Sequence, residues 1–187
     1  MKSARAVSAF SCEICLLAGG LSSRMGRDKA RLRLGRRTLP AHLRAVAREL
    51  GLPMRIIRRD LVPRCGPLGG IYTALKTSGT DAVLFLACDM PFVSATLLQT
   101  LMVSARRAKA VFTHEEGRSG FPFLLRRTTL AAVEEQLAAK EFSLQSLAKK
   151  LRARTLQPPK SAPELLNINT PEDWREARQF WAKTVEH

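Results

Sequence analysis

The chain has 187 residues, 45% of them hydrophobic, which suits one globular domain of ordinary size with its own core. With 31 Lys and Arg against 16 Asp and Glu, its net charge of +15 favours anionic partners such as nucleotides and phosphorylated cofactors. No apolar run approaches the ~20 residues that cross a bilayer, no Lys/Arg-rich tail is present, and one Tyr and two Trp offer little base stacking, so nucleic acid ranks below small phosphate ligands.

Residues 1–12 read as a flexible N-terminal extension, of which Met1 to Ser11 are mildly basic and apolar, with a faint likeness to a signal peptide. Glu13 interrupts that pattern, and a glycine loop begins too soon afterwards for cleavage to spare it, so a cytoplasmic address is expected. Glu13 to Ala18 reads as a buried strand. Cys12 and Cys15 form a Cys-x-x-Cys, but no second pair and no His cluster completes a metal site. Residues three apart on a strand face opposite ways, so both are read as structural thiols. The stretch that follows, Leu17 to Ala30, is Leu-Ala-Gly-Gly-Leu-Ser-Ser-Arg-Met-Gly-Arg-Asp-Lys-Ala. Gly19 and Gly20 allow backbone N–H groups to approach an anion, and Arg24 and Lys29 add two positive charges, a combination suited to a triphosphate. The string is neither a Walker A loop nor a Gly-x-Gly-x-x-Gly fingerprint.

Pro40 to Leu50 reads as a helix that stops at Gly51, and Met54 to Arg59 as a short strand with a basic end. Gly66-Pro67-Leu68-Gly69-Gly70 reads as a turn, with a short helix from Ile71 to Lys76. Ala82 to Cys88 is the clearest buried strand. Asp89 follows it directly, and an open parallel sheet places ligands at the carboxyl ends of its strands, so Asp89 shares an edge with the Gly19-Gly20 loop. A carboxylate there can hold Mg²⁺, a hard cation that bridges phosphate oxygens; capping the next helix is the structural alternative. That helix spans Ser94 to Arg107, with Ser94 as N-cap. Lys109 to Thr113 and Phe121 to Leu125 read as strands around an exposed Glu-Glu-Gly-Arg-Ser-Gly turn, with His114 a plain surface or loop histidine. Helices over Thr128–Ala139 and Ser143–Leu151 follow, the second basic and amphipathic with its charged face toward water. Gln157 to Pro163 is a loop, Leu165 to Ile168 a last short strand, and Pro171 starts a C-terminal helix. Asn167 and Asn169 alternate, which puts both amides on one face, able to bond a pterin or a phosphate; Thr170 and Asp173 form a capping box. Alternating strands and helices make this an α/β fold with a mostly parallel sheet, in a single domain over 1–187.

The loop resembles the signature of the Rossmann-like nucleotidyltransferases, and within them the molybdenum cofactor guanylyltransferases, whose loop runs Leu-Ala-Gly-Gly, then Arg-Met-Gly, then Asp-Lys. Cys-Asp-Met-Pro around Asp89, the Gly66–Gly70 segment and Asn167-Ile168-Asn169-Thr170-Pro171-Glu172 match the family's other motifs, in order, from Ile14 to Trp174. The resemblance implies a Rossmann-like, mostly parallel sheet flanked by helices, of the nucleotide-diphospho-sugar transferase type. It also implies nucleotide binding by Leu17, Ala18, Gly19, Gly20, Lys29, Asp60, Gly66 and Asp89, acceptor binding by Asn167 and Asn169, and Mg²⁺ on Asp89. Family members carry a strand, a helix and a further strand before the Gly66 segment; here about fifteen residues, Gly51 to Cys65, fill that interval. One strand-helix unit is therefore missing from the N-terminal half, and with it an Asn that the family uses on its nucleotide. What the resemblance implies is transfer of GMP from Mg-GTP to molybdopterin or the molybdenum cofactor, with Arg24, Lys29 and Asp89 as the catalytic residues. Molybdenum-insertion or molybdoenzyme proteins are the partner proteins it implies. A relative using another base or acceptor, for example CTP, and a non-catalytic carrier of nucleotide or cofactor both stay open.

Overall fold

The computed structural model describes residues 10–17, 32–158 and 163–185. Its centre is a six-stranded sheet in the order β4-β1-β5-β7-β6-β8. These strands are β1 (Cys12–Leu17), β4 (Met54–Ile57), β5 (Ala82–Ala87), β6 (Ala110–Glu115), β7 (Arg118–Arg126) and β8 (Arg154–Leu156). Strand β1 pairs in parallel with β4 and β5, β7 runs antiparallel between β5 and β6, and β8 is parallel to β6. Strands β2 (Arg33–Leu34) and β3 (Arg37–Thr38) make a separate small hairpin.

The sheet is covered on both faces, so β5 is apolar throughout and β1 apolar but for Glu13, rather than alternating. On one face Ile14, Leu16, Leu84 and Leu86 meet Leu43 and Ala47 of α1 (Leu39–Glu49) and Leu98 and Leu101 of α3 (Ala95–Ser104). On the other, Cys15, Val83 and Phe85 meet Leu68, Ile71 and Leu75 of α2 (Pro67–Thr77), Val133 of α4 (Leu130–Ala138) and Leu147 of α5 (Leu144–Lys150). Phe85, Phe123 and Phe112 stack across three adjacent strands at centroid separations of 4.9 and 4.5 Å. Contacts of this kind add ~0.5–1.5 kcal/mol each beyond area burial.

Cys12 and Cys15 fall on opposite faces of β1, each buried in a different core cluster, as their spacing predicts. Glu13, between them and 6% exposed, receives Nε and Nη2 of Arg55 at 2.7 and 2.8 Å. Helix α1 buries Leu39, Leu43 and Ala47, one apolar stripe at helical spacing, and the chain leaves it through Gly51 at φ 65°. Between α1 and α2 the described residues contain only β4, which stays at the sheet edge; no further strand-helix unit follows it.

Three sequence expectations need correction. The Gly66–Gly70 turn is not a turn throughout: the helix starts at Pro67, its favoured first position, so Gly69 and Gly70 are helical. The hairpin of β6 and β7 is tighter than expected, turning at Glu116 and Gly117, both at positive φ (48° and 79°). Leu165–Ile168 is not a strand; a 3-10 turn over Pro163–Leu165 leads into an extended segment. The two-residue strands β2 and β3 and the three-residue β8 were too short to show a period. No helix among the described residues is long and apolar enough to cross a membrane.

Candidate active site

Leu17 lies in register with Ile57 on one side and Ala87 on the other, so β4, β1 and β5 end level at their carboxyl edge. Asp60 follows β4 and Asp89 follows β5, and this edge is where open α/β sheets bind ligands. Ala18, Gly19, Gly20, Arg24 and Lys29, expected to contact the nucleotide, lie outside the described residues. Strand β1 ends at Leu17, between the two aspartate-bearing strand ends in sheet order.

Helix α2 sits tightly over this edge. A Cβ on Gly69 would fall 2.6 Å from the Val62 carbonyl oxygen and 2.9 Å from Asp60 Oδ2. One on Gly70 would fall 3.1 Å from Leu17 Cδ2 and 3.4 Å from Asp60 Oδ1. The two glycines thus let the first turn of α2 close on Asp60 and the end of β1. The segment between β4 and α2 is tied down as well: Leu61 N–H donates to Thr73 Oγ1 at 2.8 Å, and that hydroxyl donates to the Gly69 carbonyl at 2.8 Å. Asp60 is half-buried, and burial raises its carboxyl above the ordinary range. Gly66, the N-cap of α2, is exposed with φ 54°, in the left-handed region that glycine adopts freely.

On the other side of β1, Asp89 is half-buried, and its carbonyl accepts the Ile168 N–H at 2.9 Å. That one main-chain bond brings the Asn segment to the end of β5. Asn167 and Asn169 are both exposed and flank Ile168, which is fully buried. The Asp173 carboxylate takes the N–H groups of Asn169 and Thr170, each at 2.8 Å, and Thr170 Oγ1 takes the Asp173 N–H at 3.1 Å. This is the expected capping box opening α6 (Pro171–Val185). Ser94 caps α3 by accepting the Leu97 N–H and also donates to the Glu164 carboxylate, which fixes the same segment.

Asn167 lines a cavity of about 500 Å³ at this edge, together with Thr113, Glu115, Arg118, Ser119 and Phe121. The sequence reading missed these residues, because their pairing across β6 and β7 carries no local motif. Gln145 of α5 holds the wall: its Oε1 accepts the Ser119 N–H at 2.9 Å and its Nε2 donates to the Ser119 carbonyl at 2.5 Å. His114 is half-buried here, with Nδ1 3.5 Å from Ser119 Oγ.

The donor set speaks to a metal. Among the described residues no three His, Cys, Asp or Glu side chains cluster as a ready cage. Mg²⁺ takes one or two carboxylates and completes its shell with phosphate oxygens and water, so the carboxylate of Asp89 at this strand end is compatible with it. Cys12 and Cys15 are no candidates: burial pushes their thiols up to about 12 and about 11.

The model of the MobA-like NTP transferase domain matches residues 14–60 and 45–155, the part of the chain that builds this edge. The chain belongs to the MobA-like NTP transferase family. It is therefore a nucleotidyltransferase. A protein of Opitutus terrae named "Probable molybdenum cofactor guanylyltransferase" is 35% identical over 182 residues, covering 84% of this chain and 90% of the relative. The molybdenum cofactor guanylyltransferase of Pseudomonas fluorescens is 30% identical over 185 residues, covering 88% and 92%. Among solved structures, molybdopterin-guanine dinucleotide biosynthesis protein A of Archaeoglobus fulgidus superposes with a TM-score of 0.73 over 91% of this chain and 99% of its own. At 18% identity that likeness shows the MobA-like fold.

Proposed function

We propose that this nucleotidyltransferase transfers GMP from GTP to molybdopterin or its molybdenum-loaded form, making the guanine dinucleotide cofactor and releasing pyrophosphate. The observation that carries this reading is the bond from Ile168 N–H to the Asp89 carbonyl. It sets an amide-bearing segment and a cavity beside the strand end where the triphosphate is expected. The names of the relatives support guanine as the nucleobase and the molybdenum cofactor as the acceptor.

A terminal phosphate of the acceptor attacks the α-phosphorus of GTP, a P–O bond forms, and the bond to the β-phosphate oxygen breaks. The attacking phosphate is already ionised near neutral pH, so no general base is required. The work left to the protein is positioning and charge neutralisation. Main-chain groups from Leu17 to Gly20 cradle the nucleotide, and Arg24 and Lys29 neutralise the departing pyrophosphate. Asp60 and Gly66 contact the nucleotide from the α2 side, while Asn167 and Asn169 orient the acceptor. Asp89 would hold Mg²⁺, which would supply neutralisation of phosphate charge.

The test is calorimetric titration of GTP, CTP, ATP and UTP, with and without Mg²⁺, into the wild type and Asp89→Ala, followed by a transfer assay on Lys29→Ala and Asp89→Ala. GTP-selective, Mg²⁺-enhanced binding that Asp89→Ala loses, with transfer abolished in both variants, is the expected result. Selectivity for CTP would overturn the base and keep the reaction class. Near-normal turnover in either variant would overturn the site, and nucleotide binding without any transfer would make the chain a carrier.

A further inference from the structure

A cleft of about 700 Å³ lies at the opposite, amino edge of the sheet. Asp81 stands there just before β5, Lys109 just before β6, and Arg126 at the end of the antiparallel β7. The register brings them together: Arg126 is opposite Ala82, and its N–H donates to the Lys109 carbonyl at 2.8 Å. Arg106, Arg107 and Arg127 add to the charged lining, giving five cations against one carboxylate among the described residues.

Two of the arginines are fixed. Arg126 donates Nε and Nη2 to the Ala105 carbonyl at 3.3 and 3.1 Å, and its guanidinium lies 3.6 Å from the centre of the Phe10 ring. Arg127 donates Nη1 to the Ser78 carbonyl at 3.3 Å, and its own N–H donates to the Asp81 carbonyl at 2.8 Å. Satisfying those carbonyls explains why these two arginines are present. It does not explain Arg107 and Lys109, which are exposed and whose side chains make no hydrogen bond or ion pair among the described residues. The one acid is held in place: Asp81 Oδ2 accepts Ser11 N–H at 2.9 Å and Ser11 Oγ–H at 2.7 Å. Cations gathered around a cavity repel one another, and an entering anion relieves that repulsion. The pinned guanidiniums lose little freedom when it binds. Among the described residues no aromatic ring lines the cleft to stack a base.

We propose that this cleft is a second anion site, separate from the catalytic edge, that takes the phosphate chain of an oligophosphate or of a nucleotide through Arg107, Lys109, Arg126 and Arg127. Guanidinium forks match phosphate oxygens in pairs, whereas a lysine adds a point charge. The proposal stands independently of which nucleotide or acceptor the catalytic edge uses.

Tripolyphosphate titrated into the full chain without Mg²⁺, followed by amide chemical shifts, separates the two edges. The amides of Gly79, Ala108, Lys109 and Thr128 are expected to move along their own binding curve. Arg107→Glu with Lys109→Glu should abolish those shifts and weaken that curve at least about tenfold. Both side chains are exposed, so melting temperature and transfer rate should stay at wild-type values. Arg107→Gln with Lys109→Gln provides the milder version, with a smaller loss. GTP moving the same amides with similar affinity would identify the phosphate chain of a nucleotide as a ligand; tripolyphosphate alone doing so would restrict the site to free oligophosphate. Shifts confined to the neighbours of Asp60 and Asp89, or unchanged affinity in the reversed variant, would overturn the proposal. So would a response to an RNA oligonucleotide alone, which would assign the surface to nucleic acid.

Discussion

Replacing Gly69 by Ala sets two effects of opposite sign against each other. Gly69 is helical and buried in α2, and by helix propensity alone alanine there should stabilise by about 1 kcal/mol. The added Cβ, however, would stand 2.6 Å from the Val62 carbonyl oxygen and 2.9 Å from Asp60 Oδ2. Close carbon–oxygen contacts settle at ~3.3–3.6 Å, so helix and segment must part by roughly 0.7 Å. The opposing atom at Val62 is backbone and cannot rotate away. Overpacking of this kind costs ~1–3 kcal/mol, and the rigid neighbour puts this case at the upper end. The expected net result is a loss of about 1–2 kcal/mol, or ~3–6 °C in melting temperature for a chain of this length. Nucleotide KM should rise severalfold, because Asp60 moves with the segment. Urea titration with a constant m-value measures the stability. Gly79→Ala is the control: a Cβ there meets nothing within 4 Å, so its stability should stay within ~0.5 kcal/mol of wild type. A Gly69→Ala protein as stable as wild type, with unchanged KM, would refute the claim that glycine is needed for this close approach.

Arg55→Ala should cost about 2–4 kcal/mol by urea titration, less than for a fully buried pair because the Arg55 side chain is 34% exposed. Adding Glu13→Gln should recover part of that cost; a double variant no more stable than Arg55→Ala would mean the buried carboxylate is not what the arginine neutralises. Cys12 and Cys15 should resist iodoacetamide in the native protein at pH 8, read by peptide mapping, since their folded thiols titrate near 12 and 11. In the unfolded chain they ionise near the ordinary value of 9.0, so these groups contribute no pH dependence below it, and stability falls as pH rises from there toward 12. Rapid native labelling of both, or flat stability across that range, would contradict their burial. Gln145→Leu removes both bonds to Ser119 and should raise acceptor KM about tenfold while leaving the KM for nucleotide unchanged; an equal rise in both would mark a general loss of fold instead.

The readable parts of the chain were those where chemistry is written locally. An unbroken apolar run before Asp89 announces a buried strand ending at a carboxylate, and Thr170 with Asp173 announces a helix start. The Cys12/Cys15 spacing was enough to place two thiols on opposite faces of one strand. Gly69 and Gly70 misled, because Gly-Gly reads as a turn until Asp60 and Leu17 are seen to occupy the space beside them. Strand β8 could not be read, since three residues have no periodicity and its pairing with β6 is set by distant neighbours. The cavity wall at Arg118, Ser119 and Phe121 was hidden for the same reason: Ser119 matters through Gln145, on another element. The meeting of Ile168 with Asp89 is a main-chain bond and leaves no signature in residue type.

Ile168 also belongs to a third, smaller apolar cluster, with Leu34, Leu39 and Ala177, against which Trp174 and Trp181 pack. This cluster joins the β2–β3 hairpin, the start of α1 and helix α6, and a Cβ on Gly35 would lie 2.6 Å from Trp181 Nε1. All six strands of the sheet precede Pro163 in the chain, so during synthesis the sheet can be assembled while the Asn segment is still inside the ribosome. The carboxyl edge stays open on one side until α6 emerges and clasps the hairpin. A chain cut short after β8 would retain all six strands of the sheet and lose the Asn167–Asn169 segment together with the clasp that α6 makes on the hairpin.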